Sequence, residues 1–168
     1  IDPKGPIECG NIALLQCFLA GQDEEWFIII HIDIEKKAGR ALKAIEEAQH
    51  AVVAKDNVAL NKAMTKMRDS IKAMYDVLAR MPEKCDPYVY FHRVRPYIFG
   101  WKNNPSLPNG VVYEGVPELK GEGMKYRGET GAQSAIVPAL DGALGIEHER
   151  DELRDYLMEM RQYMPPKH

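Results

Sequence analysis

The chain lacks both a long hydrophobic run and an excess of charge of either sign. Its longest apolar run, Trp26–Ile32, already contains His31 and is far shorter than the roughly 20 residues that span a bilayer. The net charge of −3 arises from 22 basic and 25 acidic residues that are interspersed, so no basic surface for nucleic acid is indicated. The composition therefore predicts a protein that has neither a membrane nor a nucleic acid as its partner.

Cysteine is also scarce. The three cysteines, Cys9, Cys17 and Cys85, are an odd number and no two have CxxC spacing. This pattern argues against a disulfide framework and against a zinc site. We therefore expect a reduced, cytoplasmic protein, and at 168 residues we expect a single core.

Strand patterns and internal repeats are nearly absent, and an apolar rhythm of 3.6 residues dominates. Helices are predicted over residues 24–54, 57–81, 86–99, 133–146 and 149–163. Asp23, Asp56 and Asp86 are the expected N-caps, with Asn57 as an alternative to Asp56. The predicted fold class is all-α, a helical bundle domain with a long loop at about residues 100–132. A loop of this length within a compact domain is usually functional or mobile.

The third predicted helix carries the most informative segment, Tyr90–Trp101, which reads Tyr-Phe-His-Arg-Val-Arg-Pro-Tyr-Ile-Phe-Gly-Trp. Arg95 lies four residues after Phe91 and therefore shares a helix face with it. An arginine beside an aromatic wall suits a ligand that combines a flat apolar ring with a carboxylate. The alternative is a surface arginine whose stem lies on a ring, and spacing alone favours it because most arginines are exposed. Pro96 predicts a kink in this helix.

Two further segments offer candidate site residues. The small residues of Gly128–Ser134 would let the backbone approach a ligand closely, and Thr130 and Ser134 supply hydroxyl groups. Either hydroxyl could equally cap the helix that follows. On the first helix Phe27 and His31 are four residues apart and face the same way. A lone histidine on an apolar helix face is more often a core histidine with a satisfied hydrogen bond.

Taken together, these motifs resemble the indoleamine 2,3-dioxygenase family, haem enzymes that open the indole ring of tryptophan, and they resemble a fungal or bacterial member more than a vertebrate one. The resemblance runs from about Asn11 to His168 and is most specific in Tyr90–Gly115, in Gly128–Ser134 and in the closing motif Met160–His168. It implies haem b as cofactor, tryptophan or a related indole as substrate, and dioxygen as the second reactant. The expected product of tryptophan is N-formylkynurenine.

The resemblance implies roles for five residues. Arg95 would pair with the substrate carboxylate, and Phe27 and Tyr90 would sandwich the indole ring. Tyr90 departs from the phenylalanine of the vertebrate enzymes. Thr130 and Gly131 would lie over a haem propionate and the substrate amino group. Phe91, next to Tyr90, is expected in the core instead.

A sixth role, that of His31, depends on the register of the first helix. In one register His31 would form a hydrogen bond to dioxygen or to the indole N–H, and in a second register Ile30 would occupy that place. Asp141 lies in an apolar helix and needs a partner. The resemblance gives it an arginine near the haem, in a C-terminal part that this chain does not contain. The proximal histidine is expected beyond His168, so no metal ligand is assigned here.

The resemblance also predicts the domain organisation. Residues 1–168 would be the middle of one large helical haem-binding domain, without the small N-terminal domain and without the helices that carry the proximal histidine. A second chain or fragment could then complete the domain. Two alternatives remain open: an oxygen-binding protein like the molluscan myoglobins that resemble this family, and an inactive fragment.

Overall fold

The computed structural model describes residues 1–149 and 151–163, so part of the motif Met160–His168, including His168 itself, lies outside the described residues. Its helices are α1 (Gln22–Val53), α2 (Asn57–Leu78), α3, α4 (Ile136–Leu144) and α5 (Glu152–Arg161). Helix α3 consists of three continuous segments, Pro87–Val89, the π-helical Tyr90–Val94 and Arg95–Ile98. The long loop contains two short strands, β1 (Val111–Val112) and β2 (Gly123–Met124). The all-α prediction is confirmed.

Two of the three predicted N-caps are correct. The carboxylates of Asp56 and Asp86 each accept hydrogen bonds from two backbone N–H groups in the first turn of α2 and α3. Helix α1 instead begins after Gly21, without a side-chain cap. The carboxylate of Asp23 accepts a hydrogen bond from the backbone N–H of Asp86 at 2.7 Å. The prediction for Asp23 was wrong because a long-range donor competes for this side chain, which thereby ties the start of α1 to the start of α3.

Helices α1 and α2 form an antiparallel pair that is the main body of the fold. The hydroxyl of the buried Ser70 donates to the carbonyl oxygen of Lys37 at 2.6 Å. The ammonium group of Lys66 lies 2.6 Å from the carboxylate of Glu47. The residue number of the partner on α2 falls from 70 to 66 as that on α1 rises from 37 to 47, so the two helices are antiparallel.

A stripe of alanines on α1 forms the centre of the larger core cluster. Because alanine is small, α2 and α4 can both approach the α1 backbone closely and pack without voids. Helix α2 contributes one methionine and α4 contributes two aliphatic side chains to this contact. The members of the cluster are Ala38, Ala41, Ala44, Met67, Ile136 and Leu140.

The N-terminal half of α1 packs into a second cluster. Ile30 is completely buried there, and the Trp26 indole N–H donates to the carbonyl oxygen of Arg80 at 3.0 Å. Ile29, Val77 and Cys85 complete the buried part of this cluster. This half of α1 therefore turns its core face toward the end of α2 and leaves the opposite face open.

Buried carboxylates on α1 hold the segment that precedes it. Glu24 accepts hydrogen bonds from the backbone N–H groups of Phe18 and Leu19 at 2.6 and 2.8 Å. Asp33 accepts one from the backbone N–H of Cys9 at 3.0 Å. Both carboxylates are almost completely buried. Both oxygens of Glu24 and Oδ2 of Asp33 accept from backbone donors, while Oδ1 of Asp33 lies 3.3 Å from the ammonium group of Lys37, so the irregular segment is fixed without secondary structure of its own.

The loop at 100–132 is folded onto the end of α3. The strands β1 and β2 pair antiparallel, and the Trp101 indole N–H donates to the carbonyl oxygen of Met124 at 2.9 Å. Gly128 crosses α3 so closely that a Cβ atom at this position would overlap the carbonyl oxygen of Ile98. This contact brings residues 128–134 beside α3. Within the described ranges, no helix is both long and apolar enough to cross a membrane.

The alanine stripe leads to a stability prediction. Replacing Ala41, which is fully buried between helices, by leucine should force α2 and α4 apart and lower the free energy of unfolding by about 1–3 kcal/mol. Ala59→Leu, on the exposed face of α2, is the matched control and should change stability little. Urea unfolding of both variants measures the difference. Equal stabilities of the two variants would contradict the close packing of α1.

Candidate functional site

A cleft of about 530 Å³ opens between the N-terminal half of α1, helix α3 and the segment 128–134. Phe18, from the segment before α1, and Tyr156, from α5, also line it. The lining includes all but one of the site residues predicted from the sequence. Those that line the cleft are Phe27, His31, Tyr90, Arg95, Thr130 and Gly131. The structure thus brings these six residues together, whereas their individual roles stay predictions.

The face of α1 that is turned away from the core forms one wall of the cleft. Phe27, His31 and Glu35 follow one another at intervals of four residues and all line the cleft. Ile30 is completely buried in the core cluster on the other face. Of the two registers left open by the sequence, the structure therefore presents His31 to the cleft.

A π-helical turn explains why Tyr90 and Arg95 share the cleft although they are five residues apart. In a regular α-helix such residues point about 140° apart. Here the backbone N–H of Arg95 donates to the carbonyl oxygen of Tyr90, so one wide turn closes over five residues. Pro96 follows directly, and its ring would crowd the carbonyl group of His92 in a regular helix. A wider turn before the proline relieves this contact.

The rings of Phe27, Tyr90 and His31 form an aromatic wall of the cleft. The Phe27 ring stacks on the Tyr90 ring with centroids 4.3 Å apart and lies 4.3 Å from the His31 ring. An indole between two rings needs centroids about 7 Å apart, because each contact takes about 3.5 Å. Phe27 and Tyr90 therefore do not form the expected sandwich but one continuous wall. Burial raises the pKa of Tyr90, which keeps its phenol neutral.

The hydrogen bond of His31 defines its tautomer. Its Nδ1 lies 2.7 Å from the carbonyl oxygen of Phe27. A carbonyl oxygen can only accept, so Nδ1 carries the proton and Nε2 of the neutral ring is an acceptor. Neutral His31 can therefore accept a hydrogen bond from a ligand N–H, and it can donate through Nε2 only when it is protonated.

Arg95 is exposed at the cleft, and its guanidinium carbon lies over two rings. The distances to the ring centroids are 5.8 Å for Phe91 and 5.5 Å for Phe99. No carboxylate of the described residues lies within 4.0 Å of it. Phe91 is 57% exposed, so its expected place in the core was wrong; the ring packs on Arg95 instead.

The segment 128–134 forms a further side of the cleft. Thr130 caps the short 3-10 helix Gly131–Gln133 through a capping box with Gln133. The hydroxyl of Ser134 donates to the carboxylate of Glu35 at 2.7 Å and so ties the segment to α1. Open space surrounds the position of a Cβ atom on Gly131. The fold itself does not need glycine there, and the space is available to a ligand.

An ion cluster of Lys102, Arg127 and Glu159 lies beside Tyr156 at the edge of the cleft, and sequence spacing did not reveal it. Glu159 of α5 pairs with Lys102 and with Arg127, whose Nη2 lies 3.0 Å from Oε2. The Arg127 guanidinium also lies over the ring of Tyr156, which lines the cleft. The hydrogen bonds from Arg127 and Lys102 lower the pKa of Glu159 to about 2. No local pattern signals this cluster because its members are widely separated in sequence.

Asp141 is not among the residues that line the cleft. Its carboxylate lies 2.8 Å from Nε2 of His148, so the partner that the sequence left unidentified is a histidine just beyond α4. The sequence has no arginine at helical spacing from Asp141, and a histidine in the loop after the helix was not predicted as its partner. The role of Asp141 toward haem stays a prediction.

The family model described as "Indoleamine 2,3-dioxygenase" matches residues 1–168. The chain is 37% identical over 167 residues to human indoleamine 2,3-dioxygenase 2, covering 99% of the chain and 40% of that relative. It is 34% identical over 161 residues to indoleamine 2,3-dioxygenase nanC of Aspergillus nanangensis, covering 94% of the chain and 39% of the relative.

A relative with a different name is the myoglobin of the abalone Haliotis madaka. It is 32% identical over 164 residues, which is 96% of the chain and 42% of that relative. The chain therefore spans about two-fifths of the length of the curated relatives that it matches.

The ion cluster predicts a pH-dependent effect. Glu159→Gln removes the charge that holds Arg127 and Lys102, so the variant should be less stable than the wild type at neutral pH. Because the pKa of Glu159 is depressed to about 2, its contribution is present above about pH 4 and is lost as the pH falls toward 2. Thermal unfolding of both proteins from pH 7 to pH 2 measures this. A stability difference that grows on acidification would contradict the assignment.

Proposed function

The chain belongs to the indoleamine 2,3-dioxygenase family, and we propose that it carries the substrate side of a haem-dependent dioxygenase. The proposed reaction cleaves the C2–C3 bond of the indole ring of L-tryptophan and gives N-formylkynurenine. The observation that carries this proposal is that an aromatic wall, a histidine and an arginine from separate parts of the chain converge in one cleft, the arginine having no carboxylate partner among the described residues.

The cleft matches the three recognisable parts of tryptophan. The planar fork of Arg95 can bind both oxygens of the carboxylate. The wall of Phe27 and Tyr90 offers its face to the indole ring, and Nε2 of neutral His31 can accept the indole N–H. Thr130 and Gly131 also line the cleft, and in this proposal they lie beside the amino group. These contacts orient the substrate, which is the protein's main contribution when a cofactor performs the chemistry.

The residues of the cleft fit one face of haem b. The aliphatic and aromatic lining suits a flat apolar group, and the open space at Gly131 admits it closely. Thr130 and Gly131 would lie beside a propionate. When bound, the haem iron would activate the dioxygen whose two atoms enter the indole C2–C3 bond. His31 would lie on the same side of the haem as the substrate, with the imidazole proton at Nδ1.

We place the proximal histidine outside this chain. His31 is the one imidazole among the described residues of the cleft, and it is assigned to the substrate side of the group in this proposal. The ligand would come from a further part of the polypeptide, or from a second chain or fragment that completes the domain. In this proposal residues 1–168 are the middle of one large helical domain.

A cytoplasmic location is also part of the proposal. Cys9, Cys17 and Cys85 are all free in the structure. Burial raises the pKa of the Cys85 thiol, which favours the unreactive protonated form. Free thiols persist in a reducing compartment.

An oxygen-binding protein is the second candidate, and the similarity to the abalone myoglobin favours it. Oxygen storage needs no receptor for a carboxylate. Arg95, which lines the cleft and has no carboxylate partner within the described ranges, therefore favours the enzyme. Tryptophan turnover by the haem-loaded full-length protein separates the two: reversible oxygen binding without turnover would support the carrier.

The location of the proximal ligand can be tested by spectroscopy. We expect the 168-residue chain, mixed with haemin, dithionite and carbon monoxide, to lack the Soret band of a histidine-ligated haem, because its cleft fits only one face of the group. The protein extended to the full length of its relatives should show that band. A stoichiometric band from the short chain would contradict the proposed location.

The carboxylate receptor leads to a second prediction. Arg95→Gln should lower kcat/KM for L-tryptophan about 10- to 150-fold in the full-length holoenzyme, since a hydrogen bond to a charged group contributes about 1.5–3 kcal/mol. Turnover or binding of tryptamine, which lacks the carboxylate, should change little. Arg93→Gln is the control, because Arg93 is exposed on the same helix but does not line the cleft. Equal effects of the two substitutions would contradict the role of Arg95.

A further inference from the structure

Phe91 and Arg95 on α3 and Phe99, which directly follows the helix, are spaced at intervals of four residues. We propose that the two phenylalanines form an aromatic clamp that positions the guanidinium of Arg95, and that Phe99 thereby determines the preference of the cleft for ligands with a carboxylate. This inference rests on the proposed function and deepens it, because it names positioning residues for the receptor.

The clamp is the contact that holds the Arg95 head group in the described part of the chain. The guanidinium carbon lies over both rings, at 5.8 Å from the centroid of Phe91 and 5.5 Å from that of Phe99, within the range of a cation–π contact. Neither ring is core: Phe91 is 57% and Phe99 is 44% exposed. Single exposed aromatics need no explanation, but these two flank the same cation from either side along the helix.

An aromatic clamp leaves the donors of the arginine available, which an acidic partner would not. The rings attract the cation through their π faces, whereas the five N–H donors lie in the guanidinium plane. A carboxylate from the protein would occupy those donors and would have to be displaced by the ligand. A clamped arginine also loses less side-chain freedom when a ligand binds, and such preorganisation increases affinity.

The two rings differ in their relation to the cleft. Phe99 lines it together with Arg95, whereas Phe91 is not among the lining residues. An effect of Phe91 on ligand binding must therefore pass through Arg95, and Phe99 could also touch the ligand directly. Comparison of the two positions separates positioning from contact.

The test measures dissociation constants of L-tryptophan and tryptamine for the full-length holoprotein, by the change in haem absorption. Phe91→Leu and Phe99→Leu should each weaken tryptophan binding about two- to fivefold, the range of an exposed cation–π contact, and leave tryptamine binding unchanged. Phe99→Tyr keeps the π face and should retain the wild-type preference. Tyr88→Leu is the control, because this exposed tyrosine on α3 packs on His92 and not on Arg95.

Three results would overturn the inference. Equal loss of both ligands in the leucine variants would show a structural effect, an unchanged preference would show that the rings do not position Arg95, and failure of Phe99→Tyr to retain the preference would exclude the π face as the cause. A wild-type protein that binds haem but does not prefer tryptophan over tryptamine would instead overturn the proposed function. The wild-type measurement therefore distinguishes the two failures.

Discussion

The packing of α1 against the rest of the chain determines which of its side chains can act. In its N-terminal half, Trp26, Ile29 and Ile30 are buried, so this side of the helix is committed to the core. Since successive residues of an α-helix are rotated by about 100°, His31 points about 100–160° away from these three side chains, whereas Phe27 lies at the edge, where it packs on the core cluster and also lines the cleft. The position of His31 at the cleft is thus set by a hydrophobic contact in which His31 itself takes no part.

The other sides of the cleft depend on the loop at 100–132. Backbone contact between Gly128 and Ile98 lays the returning loop on the end of α3, and the pairing of Glu159 with Arg127 holds it under α5. The first contact requires the absence of a side chain and the second requires opposite charges. Steric and electrostatic constraints thus meet at one segment, and the position of Thr130 beside the cleft follows from both.

The sequence predicted those features that depend on local physics. The caps at Asp56 and Asp86 were correct because an aspartate before a helix finds its donors two and three residues later. Asp23 was misassigned, since its donor lies 63 residues away. The same limit hid the partner of Glu159. When a carboxylate can accept hydrogen bonds either from nearby backbone groups or from a distant part of the chain, the sequence alone does not show which donors it uses.

The site residues were found from motifs, but their arrangement was not. Spacing alone assigns Tyr90 and Arg95 to different faces of an α-helix, and only the π-helical turn before Pro96 brings them together. The expected sandwich of Phe27 and Tyr90 failed for a related reason: a motif names the rings but does not state their separation, which tertiary packing sets.

A cleft that selects a zwitterionic aromatic ligand must present a cation without neutralising it in advance. Desolvating an unpaired charge is unfavourable, and proteins usually place an acidic side chain beside such a charge. In the proposed function, an acidic side chain beside Arg95 would occupy the donors that the ligand carboxylate needs. Stacking on Phe91 and Phe99 stabilises Arg95 without occupying its donors, and exposure of the group to water limits the desolvation. In the proposed function, the open cleft and the aromatic flanks of Arg95 would act together: the guanidinium would stay hydrated until a ligand carboxylate replaced the water.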